Sequence, residues 1–234
     1  MRFLAHKLGS SVRELDPLEF VLPLTAFAAG SVDIISFASL GGIFASAMTG
    51  NLAFLAFYSA TGSLYSAIGS FLALLGFTLG ACAGTLLTRG RPNHKAISIL
   101  LITETILLSA TAFLWFCASH RNGRPSTDVL ILILSSAMGL QSICGKKINL
   151  SNIPTVVFTS TLTNIVISLT DFLARGKTAF PADTKRQLVS FCAYFIGAFT
   201  AGLFALFELS IIILLPLTAA ILALGIHISS TVKS

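Results

Sequence analysis

The sequence predicts an all-α membrane protein, a helical bundle, and three observations predict it. Of 234 residues, 55% are hydrophobic and only 10% charged, against about 25% charged in soluble domains. Mean hydropathy is +0.90. The apolar residues fall into eight runs without period-two alternation, so they read as helices, which satisfy their own backbone hydrogen bonds in lipid. This composition excludes a water-soluble enzyme, a disordered chain, a collagen and a coiled coil. At about 20 residues per span, the chain holds six to eight helices and almost no extramembrane domain. One transmembrane domain, 18–228, is expected between an N-terminal segment, 1–17, and a C-terminal tail, 229–234.

Residues 1–17 contain no continuous apolar stretch ahead of Arg13, Glu14 and Asp16, so they do not read as a cleavable signal. Phe3, Leu4, Leu8 and Val12 fit one face of a short interfacial helix; a frayed tail is the alternative. The apolar segments then run 18–38, 43–61, 65–88, 96–118, 129–144, 154–174, 187–207 and 209–228. The fifth is short for a span and ends beside Lys146 and Lys147. The second and sixth are polar for their length, and each follows a loop rich in Gly, Ser, Asn or Pro. Cys82, Cys117, Cys144 and Cys192 are far apart, form no CxxC and read as small buried thiols.

Charge chooses between topologies. With eight full crossings and a cytoplasmic N-terminus, ten Lys/Arg lie inside and five outside. If the second and sixth segments enter and return, thirteen lie inside and only Arg121 and Arg124 outside. The positive-inside rule favours the latter: six net crossings, two interrupted or re-entrant segments, and both termini in the cytoplasm of a bacterium. Seven or eight full crossings is the alternative. The net charge of +6 is thus an orientation signal, and no nucleic-acid partner is expected.

A weak internal repeat fits this arrangement, with chance matching of small residues in an apolar chain as the alternative. Gly30-Ser31-Val32-Asp33 precedes Met48-Thr49-Gly50-Asn51, as Gly139-Leu140-Gln141-Ser142 precedes Phe158-Thr159-Ser160-Thr161. Gly80-Ala81 with Gly84 is echoed by Gly197-Ala198 with Gly202. The halves are about 18–118 and 129–228. Three net crossings per half is an odd number, so the halves sit inverted. Inverted repeats with interrupted helices at matching places point to a transporter site.

The stretch Gly30 to Asn51, the GFTLGACAG helix, Glu104 in the next helix, Ala137-Met138-Gly139-Leu140-Gln141 and the VFTSTLT run together resemble the YoaK-like family of bacterial inner-membrane proteins. The resemblance covers about residues 18–228. The second half departs from that pattern, with Ser142 where the resemblance implies Asn and Thr159-Ser160-Thr161 where it implies Thr-Gly-Thr. The resemblance implies a multi-pass membrane protein and names no substrate.

Two acids lie inside predicted spans. Asp33 falls about 22 Å along the first helix, where a charged Asp costs at least about 2.5–3.5 kcal/mol. A proton or cation site is one reading; a helix break that Asp33 caps is the other. Glu104 lies about 12 Å into the fourth helix, as a coupling group or as a hydrogen-bonded packing residue. No Lys or Arg lies deep in a span to pair with either.

Thr49, Gly50 and Asn51 start the second segment, and Thr159 and Thr161 start the sixth. Free N–H groups at a half-helix start, with hydroxyl and amide side chains, suit a solute site. Gln141 is a further interior amide. The same groups also bind helix to helix without a ligand. Gly76, Gly80 and Gly84 form a GxxxGxxxG face, and Gly197 and Gly202 a looser one, for helix packing within the chain or in a homo-oligomer. Trp115, His120 and His227 read as interface anchors. Lys146 and Lys147 set orientation, with anionic lipid as a second reading.

The expected function is a secondary transporter or facilitator of a small solute, coupled through Asp33 and Glu104. Thr49, Gly50, Asn51, Gln141, Thr159 and Thr161 line its solute site. A membrane scaffold using the glycine faces is an alternative. An intramembrane enzyme using Asp33 and Glu104 is another, although HExxH, GxSxG and GxxxxGK[ST] are absent. No cofactor or metal is expected, and membrane lipids are the surrounding partners.

Overall fold

A computed structural model describes residues 17–120, 127–148, 158–175 and 181–233. All regular elements among these residues are helical: α1 (Leu18–Ser39), α2 (Met48–Ala60), α3 (Leu64–Thr88), α4 (Asn93–His120), α5 (Thr127–Ile148), α6 (Phe158–Arg175), α7 (Ala182–Leu206) and α8 (Leu214–Lys233). A 3-10 turn, Ser210–Ile213, leads into α8. Six elements are long and apolar enough to cross a membrane: α1, α3, α4, α5, α7, and the 3-10 turn continued by α8. With 13 residues, α2 is about 20 Å long, shorter than a hydrocarbon core of about 30 Å. The remaining helix, α6, lies outside those six.

Boundaries moved where charged residues stay helical. The fifth segment is a full span of 22 residues, because Lys146 and Lys147 occupy the last turn of α5, where cations suit the helix dipole. Residues 229–233 continue α8 rather than forming a tail. The N-terminal segment, the loop with Arg121 and Arg124, and the start of the sixth segment at Pro154 lie outside the described residues.

Helix directions follow from the core. Val21 and Leu22 of α1 pack with Ile97, Leu100 and Leu101 of α4 and with Cys144 and Ile148 of α5. Val32 packs in another cluster with Leu130, Ile131 and Leu134. The start of α1 thus meets the end of α5, and the two run antiparallel. Large apolar side chains such as Leu64, Phe113, Leu173 and Phe195 remain exposed, as a lipid-facing surface requires.

The most extensive interfaces pair α1 with α7 and α3 with α5. Each is a close approach between two glycine-bearing helices. A Cβ on Gly30 would lie 3.0 Å from the Ala198 nitrogen, and one on Gly197 would lie 2.9 Å from the Phe27 carbonyl carbon. A Cβ on Gly139 would lie 2.8 Å from the Ala81 nitrogen, and one on Gly80 2.7 Å from the Ser136 carbonyl carbon. Gly30 with Phe27 corresponds to Gly139 with Ser136, and Gly80 with Ala81 to Gly197 with Ala198. The two halves therefore pack on each other through equivalent contacts. Since α1 and α5 are antiparallel, the relation between the halves is an inversion.

Gly76 also packs on α5, 2.6 Å from Leu132 O to an added Cβ, and Gly84 meets Leu100 and Leu140. Gly76, Gly80, Gly84 and Gly197 are thus covered within the chain. Gly202 departs from the expectation: a Cβ there would meet nothing within 4 Å, because five residues after Gly197 it lies about 140° round the helix, and the buried Ala201, packed with Ile35, continues the face toward α1. The cysteines also divide. Cys144 is buried, whereas Cys82, Cys117 and Cys192 are exposed free thiols on surfaces where an apolar, lipid-facing thiol costs little.

Candidate functional site

α1 continues unbroken through Asp33 to Ser39, so the helix-break reading of Asp33 fails. What the carboxylate holds is the segment after the helix. The chain turns at Gly41 and Gly42, with φ of 95° and 78°, values a glycine reaches without a Cβ clash. It then folds back so that Ile43, Ala45 and Ser46 are buried. The Ser46 backbone N–H donates to Asp33 Oδ1 at 2.7 Å, and the Ser46 hydroxyl to Oδ2 at 2.6 Å. The Tyr194 hydroxyl of α7 donates to Oδ2 at 2.7 Å. Asp33 lies six residues before the end of α1, about 9 Å inside it. One carboxylate therefore ties three parts of the chain together at depth: α1, the folded-back segment and α7.

Asn51, fully buried in the first turn of α2, braces the same segment. Its Oδ1 accepts from the Phe44 N–H at 3.1 Å, and its amide nitrogen donates to the Phe44 carbonyl. Asn51 thus closes the loop on itself, while Thr49 is exposed and Gly50 half-buried. The sixth helix repeats this pattern: Thr161 is buried and Thr159 exposed. Thr49 and Thr159 therefore do not converge with Asp33.

Glu104 belongs to a different cluster. Both Glu104 and Gln141 are fully buried. Gln141 Nε2 donates to Glu104 Oε1 at 2.9 Å and to the Thr25 carbonyl of α1 at 3.0 Å. This joins α4, α5 and α1. Two buried acceptors of the pair, Glu104 Oε2 and Gln141 Oε1, have no hydrogen-bond partner, a costly state for buried polar atoms. Thr25 precedes Asp33 by eight residues, about 12 Å along α1. The two acids thus sit at different levels, each with its own partners, and do not form an acid pair.

At the bundle's ends, Trp115 donates its indole N–H to the Ser210 carbonyl at 3.1 Å, tying α4 to the 3-10 turn. His227 is buried rather than interfacial; its Nε2 lies 3.1 Å from both the His94 carbonyl and the Ser98 hydroxyl, joining α8 to α4. Arg186 of α7 pairs with Glu19 of α1, which brings the N-terminal ends of those helices together. Among the described residues no group of three His, Cys, Asp or Glu is placed to hold a metal.

Three partners were not anticipated from the sequence: Ser46, Tyr194 and the Thr25 carbonyl. The one available signal was Tyr194, a phenol hydroxyl in an otherwise apolar span, which needs an acceptor when buried.

Comparison with known proteins agrees with this architecture. A family model described as "Protein of unknown function (DUF1275)" matches residues 21–226. The chain is similar to the UPF0700 transmembrane protein YoaK of Bacillus subtilis (strain 168), 28% identical over 188 residues, covering 78% of this chain and 82% of that protein. No solved structure matches.

Proposed function

This chain belongs to the DUF1275 family of multi-pass membrane proteins, and on that premise we propose that it is a secondary transporter or facilitator of a small solute. It resides in the bacterial cytoplasmic membrane with both termini cytoplasmic. The observation that carries the reading is the inverted pair of halves, packed through equivalent glycine crossings, with a folded-back segment held at depth by an acid. Such a fold supports alternating access by rocking one half against the other around a fixed site.

The two acids take different parts. Asp33 is the latch: its carboxylate holds the folded-back segment and Tyr194, and losing that charge weakens three charge-assisted hydrogen bonds at once. Glu104 is the proton site. A proton on its Oε2, donated to Gln141 Oε1, closes an acid–amide ring and satisfies both orphaned atoms. Removing it leaves two acceptors without a donor between α4 and α5, which favours rearrangement of those helices. Cys144 is the other titratable group among the packed core residues here; His227 lies nearer the start of α4, beside His94 and Ser98. Asn51 and Thr161, buried at the starts of the two short helices, and Gln141 are the polar groups on the solute side.

The test is a small-solute screen by thermal unfolding of purified protein, followed by flux into sealed vesicles. A solute at 100 times its dissociation constant stabilises the native state by about 2.7 kcal/mol. A compound that stabilises the protein and enters vesicles supports the reading. A compound that binds without flux points instead to a receptor or enzyme.

Glu104→Gln separates the proton role from packing. An amide at 104 still pairs with Gln141, so stability stays within about 1 kcal/mol. Proton-driven flux is lost, whereas solute exchange without a gradient persists. Glu104→Leu strands Gln141 and costs about 1–3 kcal/mol. Unchanged proton coupling in Glu104→Gln would remove this role.

A further inference from the structure

The ends of α3 and α5 border an open cavity of about 570 Å³. Arg89 lines it from the residue after α3, and Lys146 and Lys147 line it from the last turn of α5. No acid lies among its lining residues, and none of these three cations forms an ion pair with a described residue. Gly90, at φ 70°, would place nothing within 4 Å of a Cβ, so it leaves one side of the mouth open.

The electrostatics favour an anion. Both helices bring their C-terminal ends here, and each end carries about half a negative charge. This explains why three cations tolerate one another at one spot. Three full charges still outweigh two half-charges, so the cavity is net positive. A single phosphate monoanion or dianion brings it close to neutral.

The walls select the kind of anion. Leu86 and Ile143 line the cavity beside the cations, and Leu86 is 68% exposed. Leu79, seven residues or two helical turns earlier, is also exposed. An apolar track about 10 Å long therefore leads from the basic cavity along α3 into the span. Free phosphate has no use for that track, whereas an acyl chain does. Basic pockets between spans at the cytoplasmic boundary are suited to lipid head groups. We infer that this cavity is a binding site for the phosphate head group of an anionic phospholipid, with an acyl chain along Leu86 and Leu79. This goes beyond the transport reading and does not depend on it.

The test titrates the full-length protein in neutral detergent with short-chain phosphatidylglycerol, with phosphatidylcholine of the same chain length, and with inorganic phosphate, reading the thermal midpoint. Phosphatidylglycerol is expected to raise the midpoint saturably; the other two are not. In the Lys146→Gln, Lys147→Gln double variant the apparent dissociation constant rises about thirtyfold, and Lys146→Arg with Lys147→Arg restores it. Lys95→Gln with Lys185→Gln, two exposed cations outside the cavity, leaves it unchanged. If the double lysine variant does not accumulate folded, Arg89→Gln alone is expected to weaken binding about fivefold. Equal effects of phosphatidylcholine, equal weakening by the Lys95 and Lys185 changes, or an unchanged constant in the cavity variants would each overturn the site. Stabilisation by inorganic phosphate matching that by lipid would overturn the lipid assignment.

Discussion

Gly80→Leu is expected to prevent accumulation of folded protein. A Cβ at position 80 already lies 2.7 and 2.8 Å from the carbonyl carbon and Cα of Ser136. These are backbone atoms of the facing helix, and no rotamer change moves them aside. α3 and α5 must part, and that opens one of the two principal interfaces of the bundle. Even Gly80→Ala costs about 1–3 kcal/mol as overpacking. Gly139→Ala acts on the same crossing through the Ala81 nitrogen at 2.8 Å, so the two alanine changes together cost less than their sum. The inverted relation of the halves makes a second prediction possible without new contacts: Gly197→Ala and Gly30→Ala cost as much, because the α1–α7 crossing has the same geometry. Gly202→Leu faces open space and stays within about 0.5 kcal/mol of wild type. Fluorescence size-exclusion profiles and thermal midpoints in detergent measure all six. A monodisperse Gly80→Leu with a wild-type midpoint, or a Gly202→Leu as damaged as Gly80→Ala, would contradict the packing account.

Gly80 and Gly197 were legible in the sequence as packing glycines, whereas Gly30 and Gly139 entered only as markers of the repeat; the spans were legible too, because a run of about 20 apolar residues has few physical outcomes. Glycine at small-residue spacing in an apolar helix signals a close approach, and similar motifs in the same order in both halves signalled the repeat. Which glycine meets which helix was not legible, and Gly202 shows why: it follows Gly197 by five residues where Gly84 follows Gly80 by four, and that one extra residue turns it off the face that Ala201 holds against α1. The solute-site residues were half legible for a simpler reason. Positions i and i+2 on a helix point about 200° apart, so Thr49 and Asn51 cannot both face inward, nor can Thr159 and Thr161. One of each pair is buried, and the polar run alone does not say which. The partners of the acids were hidden by chain distance. Tyr194 lies 161 residues from Asp33 and Gln141 lies 37 from Glu104, and no local spacing announces either contact.

Asp33→Asn is expected to abolish gradient-driven uptake while leaving a folded protein. The carboxylate accepts three hydrogen bonds, from the Ser46 N–H, the Ser46 hydroxyl and the Tyr194 hydroxyl. An asparagine keeps one acceptor for the Ser46 N–H, and both hydroxyls rotate to accept from its amide. The bonds survive in number but lose their charge, and charge-assisted bonds are about twice as strong. The fold therefore loses about 1–3 kcal/mol rather than collapsing. The folded-back segment loses most, since residues 41–46 belong to no helix. A readout independent of any solute follows. With Cys82, Cys117 and Cys192 replaced by serine, a cysteine placed by Ala47→Cys reacts several-fold faster with a water-soluble maleimide in Asp33→Asn than in the parent. Tyr194→Phe removes one of the three bonds and gives an intermediate rate. Equal labelling in all three backgrounds would mean that Asp33 holds nothing mobile, and the acid would then be a packing residue. Faster labelling with intact gradient-driven uptake would keep the latch and take the coupling role away from Asp33.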